Sequence, residues 1–162
     1  MTTSPTDLDR QDVVALLRDA SWVMLTTALP DGTLLSHPMA PQGVDEDSDV
    51  WFFVSLHGDQ ADALRGDPHV NLSVAETGTW LSVAGRAGFV EDRAIVEQLW
   101  TDRAARSFPG GIDDPDLGLL QVRSESAQYW GVPGGAAARL ARSVRAKVTG
   151  GRPPGGTATT EL

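Results

Sequence analysis

Few residues in this chain can do chemistry, and most of them fail the spacing tests for it. The three histidines are His37, His57 and His69, and there is no cysteine. Without cysteine there are no disulfides, no zinc–thiolate or iron–sulfur sites and no thiol nucleophile. The histidines form no HxH or HxxxH pair, so no metal-ligand motif emerges. Asp45, Asp47 and Asp49 imitate the start of a calcium loop. Val50 stands where that loop needs glycine and Leu56 where it needs glutamate, so the run reads as a solvated acidic turn. "DDPD", Asp113 to Asp116, reads the same way. Ser36 and His37 are neighbours on a predicted strand and point to opposite faces, and no GxSxG elbow is present, so a hydrolase triad is not expected. There is no Walker loop and no GxGxxG. "FPGG" and "GVPGG" read as flexible loops.

The aromatic residues are more suggestive. Trp51, Trp80, Trp100 and Trp130 each fall in or beside a predicted element, as do Phe53, Phe89 and Phe108. Most read as core fillers. Five tryptophans against one tyrosine nevertheless exceed what a small core requires, and tryptophan is enriched at interfaces and around flat ligands.

The elements that must position these residues alternate between strand and turn. A helix is predicted over "DLDRQDVVALLRDA", N-capped by Thr6, with Leu8, Val13, Leu16 and Leu17 on one face. "SWVMLTTAL" runs into the turn Pro30-Asp31-Gly32 and returns as "TLLSHPMA", a hairpin. Pro38 in mid-strand fits only an edge strand, a bulge or a strand start. "PQGVDEDSD" reads as an acidic loop. "VWFFVSL" is continuously apolar, as for a strand buried on both faces. A short helix follows in "GDQADALRGDP", then the alternating "HVNLSVAE" and the strand "WLSVAGRAGFVED", where Gly85 and Gly88 suggest bends or close approach. "DRAIVEQLWTDRAARSF" has helical periodicity and "LGLLQVRSESAQYWG" is the last long strand. "AAARLARSVRAKVTG" reads as a basic helix, solvated or in contact with a dimer partner. Six strands with hairpin links indicate an antiparallel barrel or sandwich.

Length and charge narrow the options further. The 162 residues suit one domain, here 1–150, followed by a flexible tail at 151–162. A net charge of −9 argues against nucleic acid or an anionic membrane as partner. The N-terminus carries no apolar leader and no window could span a bilayer, so a cytoplasmic protein is expected.

In order, the blocks "MLTTALPDGTLLSHPMAPQ", "DVWFFVSLHGDQADALRGDPHVNLSVAE", "WLSVAGRAGFVEDRAIVEQLW" and "FPGGIDDPDLGLLQVRSESAQYWG" resemble the general-stress-protein branch of the FMN-binding split barrels, relatives of pyridoxamine 5′-phosphate oxidase. The likeness runs from about residue 10 to residue 150, and the "FPGG-DDPD" block is its most specific part. It implies a mainly β, six-stranded antiparallel split barrel that forms a homodimer. It also implies two FMN sites at the dimer interface and possible flavin-dependent oxidoreductase activity on a small molecule. Related barrels also take deazaflavin or haem. Position by position, the resemblance implies cofactor contacts from His37, Pro38, Met39, Val54, Ser55 and Gln60. Trp80, Trp100 and Phe108 are implied to close the site from the other chain.

Two positions depart from the resembling pattern. His37 stands where it has arginine and Gln60 where it has lysine. Both changes remove a fixed positive charge opposite a phosphate that carries nearly two negative charges. An alternative is therefore a divergent, non-catalytic member that binds FMN weakly or not at all and takes another flat ligand. Compensating cations could come from Arg65, Arg86 or Lys147.

Overall fold

Alternating apolar residues in antiparallel strands build one curled sheet whose main core lies on its inner face. The computed structural model describes residues 9–76, 79–131 and 157–162. The element order is α1 (Arg10–Asp19), β1 (Val23–Ala28), β2 (Leu34–Met39), β3 (Gly43–Val44), β4 (Val50–Ser55), α2 (Asp59–Gly66), β5 (His69–Glu76) and β6 (Thr79–Val90), then α3 (Arg93–Leu99), α4 (Asp102–Ser107), β7 (Leu117–Gly131) and β8 (Thr157–Glu161). The strands lie in the order β2-β1-β5-β6-β7-β4-β3, with β8 pairing β7. The six long strands are the expected ones, and the architecture is a mainly β, antiparallel half-barrel with a few helices.

On the inner face, Leu25, Leu72, Val83 and Ala127 face one another across four strands and are almost fully buried. Val13, Leu16 and Leu17 of α1 and Leu64 of α2 close the same core. The outer face differs. One row across it reads Pro38, Met24, Ser73, Ser82 and Gln128, and the next Ser36, Thr26, Asn71, Ala84 and Ser126. None of these is charged, in a chain with 22% charged residues.

The β6–β7 pair holds the centre. Its register shifts between Ala84 and Gly85, so that Ala84 faces Ser126 while Gly85 faces Ser124. Glu125 is the extra residue of this bulge. Ala127 and Val122 are an odd number of residues apart and would face opposite sides of a regular strand. The bulge lets both enter the core. Asp49 serves the bulge by accepting from the Ser124 N–H at 3.2 Å and from the Gln121 amide at 3.1 Å. Burial pushes its carboxyl above the ordinary value, while the Ser124 N–H pulls the other way.

Strand β4 is buried on both faces, as its apolar run predicts. Val50, Phe52 and Val54 enter the main core, and Phe53 enters a second cluster beneath α3 and α4 with Ala104 and Leu119.

Several details differ from the sequence expectations. The N-cap of α1 is Asp9, in a capping box with Asp12; Thr6 and Leu8 lie outside the described residues. The predicted helix after β6 is two helices, because the Thr101 hydroxyl accepts from the Ala104 N–H and starts α4. The acidic loop contains β3. The segment read as a flexible tail contains β8, in antiparallel register with Ser126–Trp130. The basic segment 136–150, with Lys147, and "GVPGG" lie mostly or wholly outside the described residues.

Gly85 and Gly88 also part company. A Cβ on Gly85 would lie 2.3 Å from the Arg123 carbonyl oxygen, whereas one on Gly88 would meet nothing within 4 Å. Gly85→Ala is therefore expected to lower stability by about 1–3 kcal/mol in urea unfolding. Gly88→Ala is expected to fall within about 0.5 kcal/mol of the parent.

Candidate functional site

The β1–β2 hairpin turns through Gly32 at φ 86°, a left-handed geometry that suits glycine, and the Leu29 carbonyl accepts from the Gly32 N–H. This delivers β2 as an edge strand that, among the described residues, pairs only with β1. Pro38 lies opposite Met24 on the exposed outer face, and the open edge accounts for a proline in mid-strand. His37 lies opposite Leu25, and Met39 opposite Val23, so both point to the inner face.

At that rim β2 meets α2. The Gln60 amide approaches the Met39 sulfur at 3.7 Å. The N-cap of α2 is Gly58, at φ 103° with no side-chain cap, so the first-turn N–H groups have no side chain across them. His37 Nδ1 is buried and unpartnered. Met39 and Gln60 thus meet at an uncapped helix start, with His37 two residues before Met39 on the same face of β2. Val54 is brought near only as backbone, since its side chain is 3% exposed within the core. Beyond Trp51, the outer edge of β4 is not continued by β3.

Ser55 is engaged elsewhere. Its hydroxyl donates to Asp116 Oδ2 at 2.5 Å, and Asp116 Oδ1 meets His57 Nδ1. The Leu56 N–H donates to the Asp116 carbonyl at 2.9 Å, and Arg65 donates to the Leu56 carbonyl at 2.6 Å. Serine, histidine and aspartate meet here, but both partners bind the carboxylate, and no imidazole nitrogen accepts from the serine. It is a clasp between the β4–α2 turn and the start of β7, not a nucleophile with its base. The Ser55 hydroxyl, then His57, hold the Asp116 carboxyl below the usual carboxylate value.

The acidic runs have structural uses. Asp114 accepts from the Asp116 N–H at 2.9 Å, and Asp113 pairs with Arg93, which also binds Glu97 and the Ile112 carbonyl. Asp45 Oδ1 accepts from the N–H groups of Asp47 and Asp49 within its own turn. Among the described residues no group of three or more histidine or acidic side chains is placed to hold a metal ion.

The candidate aromatics lie apart from His37. Trp100 packs on Phe53 with ring centroids 5.4 Å apart, and Phe108 meets the same ring edge-on at 6.3 Å. Trp80 lies between Ala75 and Trp130 on the outer face, while His37 is on the inner face. One chain cannot bring both to a single small ligand through this sheet. Two of the proposed compensating cations are occupied: Arg65 stacks over Phe89 at 5.1 Å, and Arg86 pairs with Glu125 at 3.0 Å. Sequence reasoning missed Asp116 and Thr27. In the sequence Asp116 looks like any loop acid, because its partners are some sixty residues away. Thr27, on the inner face beside His37's strand, is 1% exposed with an unpartnered hydroxyl.

Residues 9–154 match the profile of the family described as pyridoxamine 5′-phosphate oxidase like. Protein bli-3 of Neurospora crassa is 29% identical over 140 residues, covering 79% of this chain and 67% of that protein. A structure from Jannaschia sp. CCS1, named as a general stress protein 26, superposes with a TM-score of 0.70 at 26% identity, covering 94% of this chain and 97% of that one. The general stress FMN/FAD binding protein of Xanthomonas citri gives a TM-score of 0.64 at 27% identity, covering 79% and 91%.

The clasp makes a pH prediction. A carboxyl held low in the folded state stabilises its contacts above its unfolded value, and that contribution is lost as pH falls through the folded value. Acidification into the carboxylate range is expected to raise amide hydrogen exchange, corrected for intrinsic rates, across residues 55–58. Asp116→Ala should do so at neutral pH, and Asp116→Asn less, because its amide oxygen still accepts from Ser55.

Proposed function

The chain belongs to the pyridoxamine 5′-phosphate oxidase like family, and from that premise we propose that it is a flavin-binding protein of general-stress-protein type that takes FMN. The observation that carries the reading is the contact of Met39 with Gln60 at the uncapped start of α2, with His37 on the same face of the same edge strand. The Xanthomonas citri relative, named for FMN/FAD binding, supports the same class of ligand.

The donors present fit a flavin phosphate without a fixed charge. His37 offers a ring nitrogen, Gln60 an amide N–H whose present partner is a weak sulfur acceptor, and the α2 start its free backbone N–H groups. The open outer edge of β4 at Val54 and Ser55 offers backbone groups to the rest of the cofactor. When bound, the flavin supplies hydride and electron transfer, and the reading extends to an oxidoreductase in which the chain's own residues bind and orient the ring and exclude water.

The same reading includes a homodimer. The uncharged rows of the outer face, with Met24 39% and Trp130 37% exposed and Arg86 and Arg123 in the row beyond them, suit a second copy. A second copy would also bring Trp80, Trp100 or Phe108 to a site that the sheet separates from them within one chain. A cytoplasmic location is part of the proposal; no helix among the described residues is long and apolar enough to cross a membrane.

A second reading, a divergent member holding another flat ligand, is favoured by one observation. Neither position 37 nor 60 carries a fixed cation, and Arg65 and Arg86 are engaged elsewhere.

Purified protein is expected to show flavin absorption, or to acquire it on titration with FMN, and to sediment as a dimer. Colourless protein that ignores added FMN rejects the first reading in favour of the second. Restoring both charges in His37→Arg/Gln60→Lys should tighten FMN by about a hundred- to ten-thousandfold, at roughly 1.5–3 kcal/mol for each charge-assisted bond. A double variant that gains nothing places the phosphate elsewhere.

A further inference from the structure

The polar side chains at the middle of the outer face bond to one another. Thr26 and Ser36 lie directly opposite across β1 and β2, and their hydroxyls share a hydrogen bond of 2.8 Å. Across β5 and β6 the Asn71 amide donates to the Ser82 hydroxyl at 2.8 Å, and the Asn71 side-chain oxygen accepts from Ser73 at 2.9 Å. Strands β1 and β5 are neighbours, so the five residues form one band over four adjacent strands. Bonds between side chains are only about 10–15% of the hydrogen bonds in a folded protein. All five residues but Ser36 are half-buried in a single chain.

A band that satisfies its own polar groups can be covered without leaving any of them unpaired, so covering it costs little. Its surroundings favour cover. By strand alternation Met24, Leu34 and Trp130 lie on the same face, and they are three of the four large hydrophobics exposed among the described residues. The charges on this face stand at its margin. Arg86 and Arg123 share the row beyond Asn71 and Ala84, and Glu161 of β8 lies beside Ser126. Two copies of a chain with a net charge of −9 repel each other at long range. They meet at least cost where neither presents a charge, and this band is such a place.

We propose that the band Thr26–Ser36–Asn71–Ser73–Ser82 is the centre of the contact between two copies of this chain, each covering the other with the same band. The hydrogen bonds stay within each chain. Burial of the band and of Met24, Leu34 and Trp130 holds the copies together, without ion pairs across the centre. This rests on the homodimer of the proposed function and assigns it a surface.

The test is sedimentation of the full chain over a dilution series. Asn71→Asp keeps the side-chain shape, but a carboxylate cannot donate to Ser82, and the dimer then buries a negative charge from each copy. Met24→Lys buries a positive charge from each copy while lowering the overall repulsion between them. Both are expected to raise the dimer dissociation constant at least about a hundredfold. The two charges have opposite signs, so a shared loss comes from burial at this face and not from overall charge. Thermal melts establish folding, and Met24→Lys, at an exposed position, decides the matter if Asn71→Asp does not fold. From about 0.05 to 0.5 M salt the wild-type constant should hold or fall, because screening relieves the repulsion between like-charged copies. A wild-type dimer that the folded variants leave intact, or a constant that rises steeply with salt, overturns this inference and leaves the homodimer to another surface. A wild type that sediments as a monomer rejects the homodimer and this interface together, while FMN absorbance judges the flavin reading separately.

Discussion

A strand of fifteen residues cannot keep one face in the core from end to end of a strongly curled sheet unless its alternation is interrupted. In β7 the interruption is the bulge at Glu125, and the rest of the sheet depends on it. On one side of the bulge Ala127 and Tyr129 point inward, and on the other Val122 and Leu120 do. Without the extra residue one of these pairs would face outward, and β4, which takes its register from Leu117–Val122, would present the wrong face to each cluster. The neighbouring residues are chosen to permit the bulge. Gly85 leaves room for the Arg123 carbonyl, and Asp49 takes the Ser124 N–H that the broken ladder releases. Ser124 returns the contact by donating to the Ser48 carbonyl at 2.6 Å, which fixes the turn before β4.

Because the register of β4 is fixed, its end is fixed too, and the site begins there. Ser55 is the last residue of the strand, and the clasp with Asp116 ties the following turn back to the first residues of β7. The start of α2, with Gln60, is therefore held against two strands and does not depend on the helix for its position. On the far side of the rim, β2 can offer His37 and Met39 because it is an edge strand, where Pro38 costs no ladder bond. The rim is assembled from the end of one strand, the edge of another and the start of a short helix. Such positions leave backbone donors unused, which suits an anionic ligand.

What the sequence reveals of this follows from the range of each interaction. The hairpin at Pro30-Asp31-Gly32, the doubly buried β4 and the edge position of β2 are local patterns of turn chemistry and alternation, and all are legible. The break between α3 and α4 was also local, since Thr101 followed by Asp102 is an N-cap signal, but the helical periodicity running through it hid the break. Asp116 could not be read, because its meaning comes from a turn about sixty residues earlier. Thr27 was hidden for a different reason. A threonine in a strand needs no explanation until its hydroxyl proves to be buried without a partner. β8 pairs with residues about thirty positions earlier in sequence, and its strand content lies in β-branched threonines that composition alone assigned to a tail.

The charge pattern bears on which ligands this rim can hold. With a net charge of −9 the chain repels anions at long range, and a site built on arginine and lysine would offset this locally. Here the local acids are largely drawn into contacts of their own. Asp116 lies against His57, Asp113 against Arg93, and Asp62 against Arg65. Asp59, in the first turn of α2, still brings a negative charge to the rim, and the donors there are an imidazole, an amide and backbone N–H groups. Such a set recognises phosphate oxygens by direction more than by charge. Its affinity should depend less on ionic strength than that of a site with two fixed cations, because screening acts on charges and not on short hydrogen bonds. On the proposed function, His37 and Gln60 make phosphate recognition at this rim depend on the direction of hydrogen bonds and not on fixed charge.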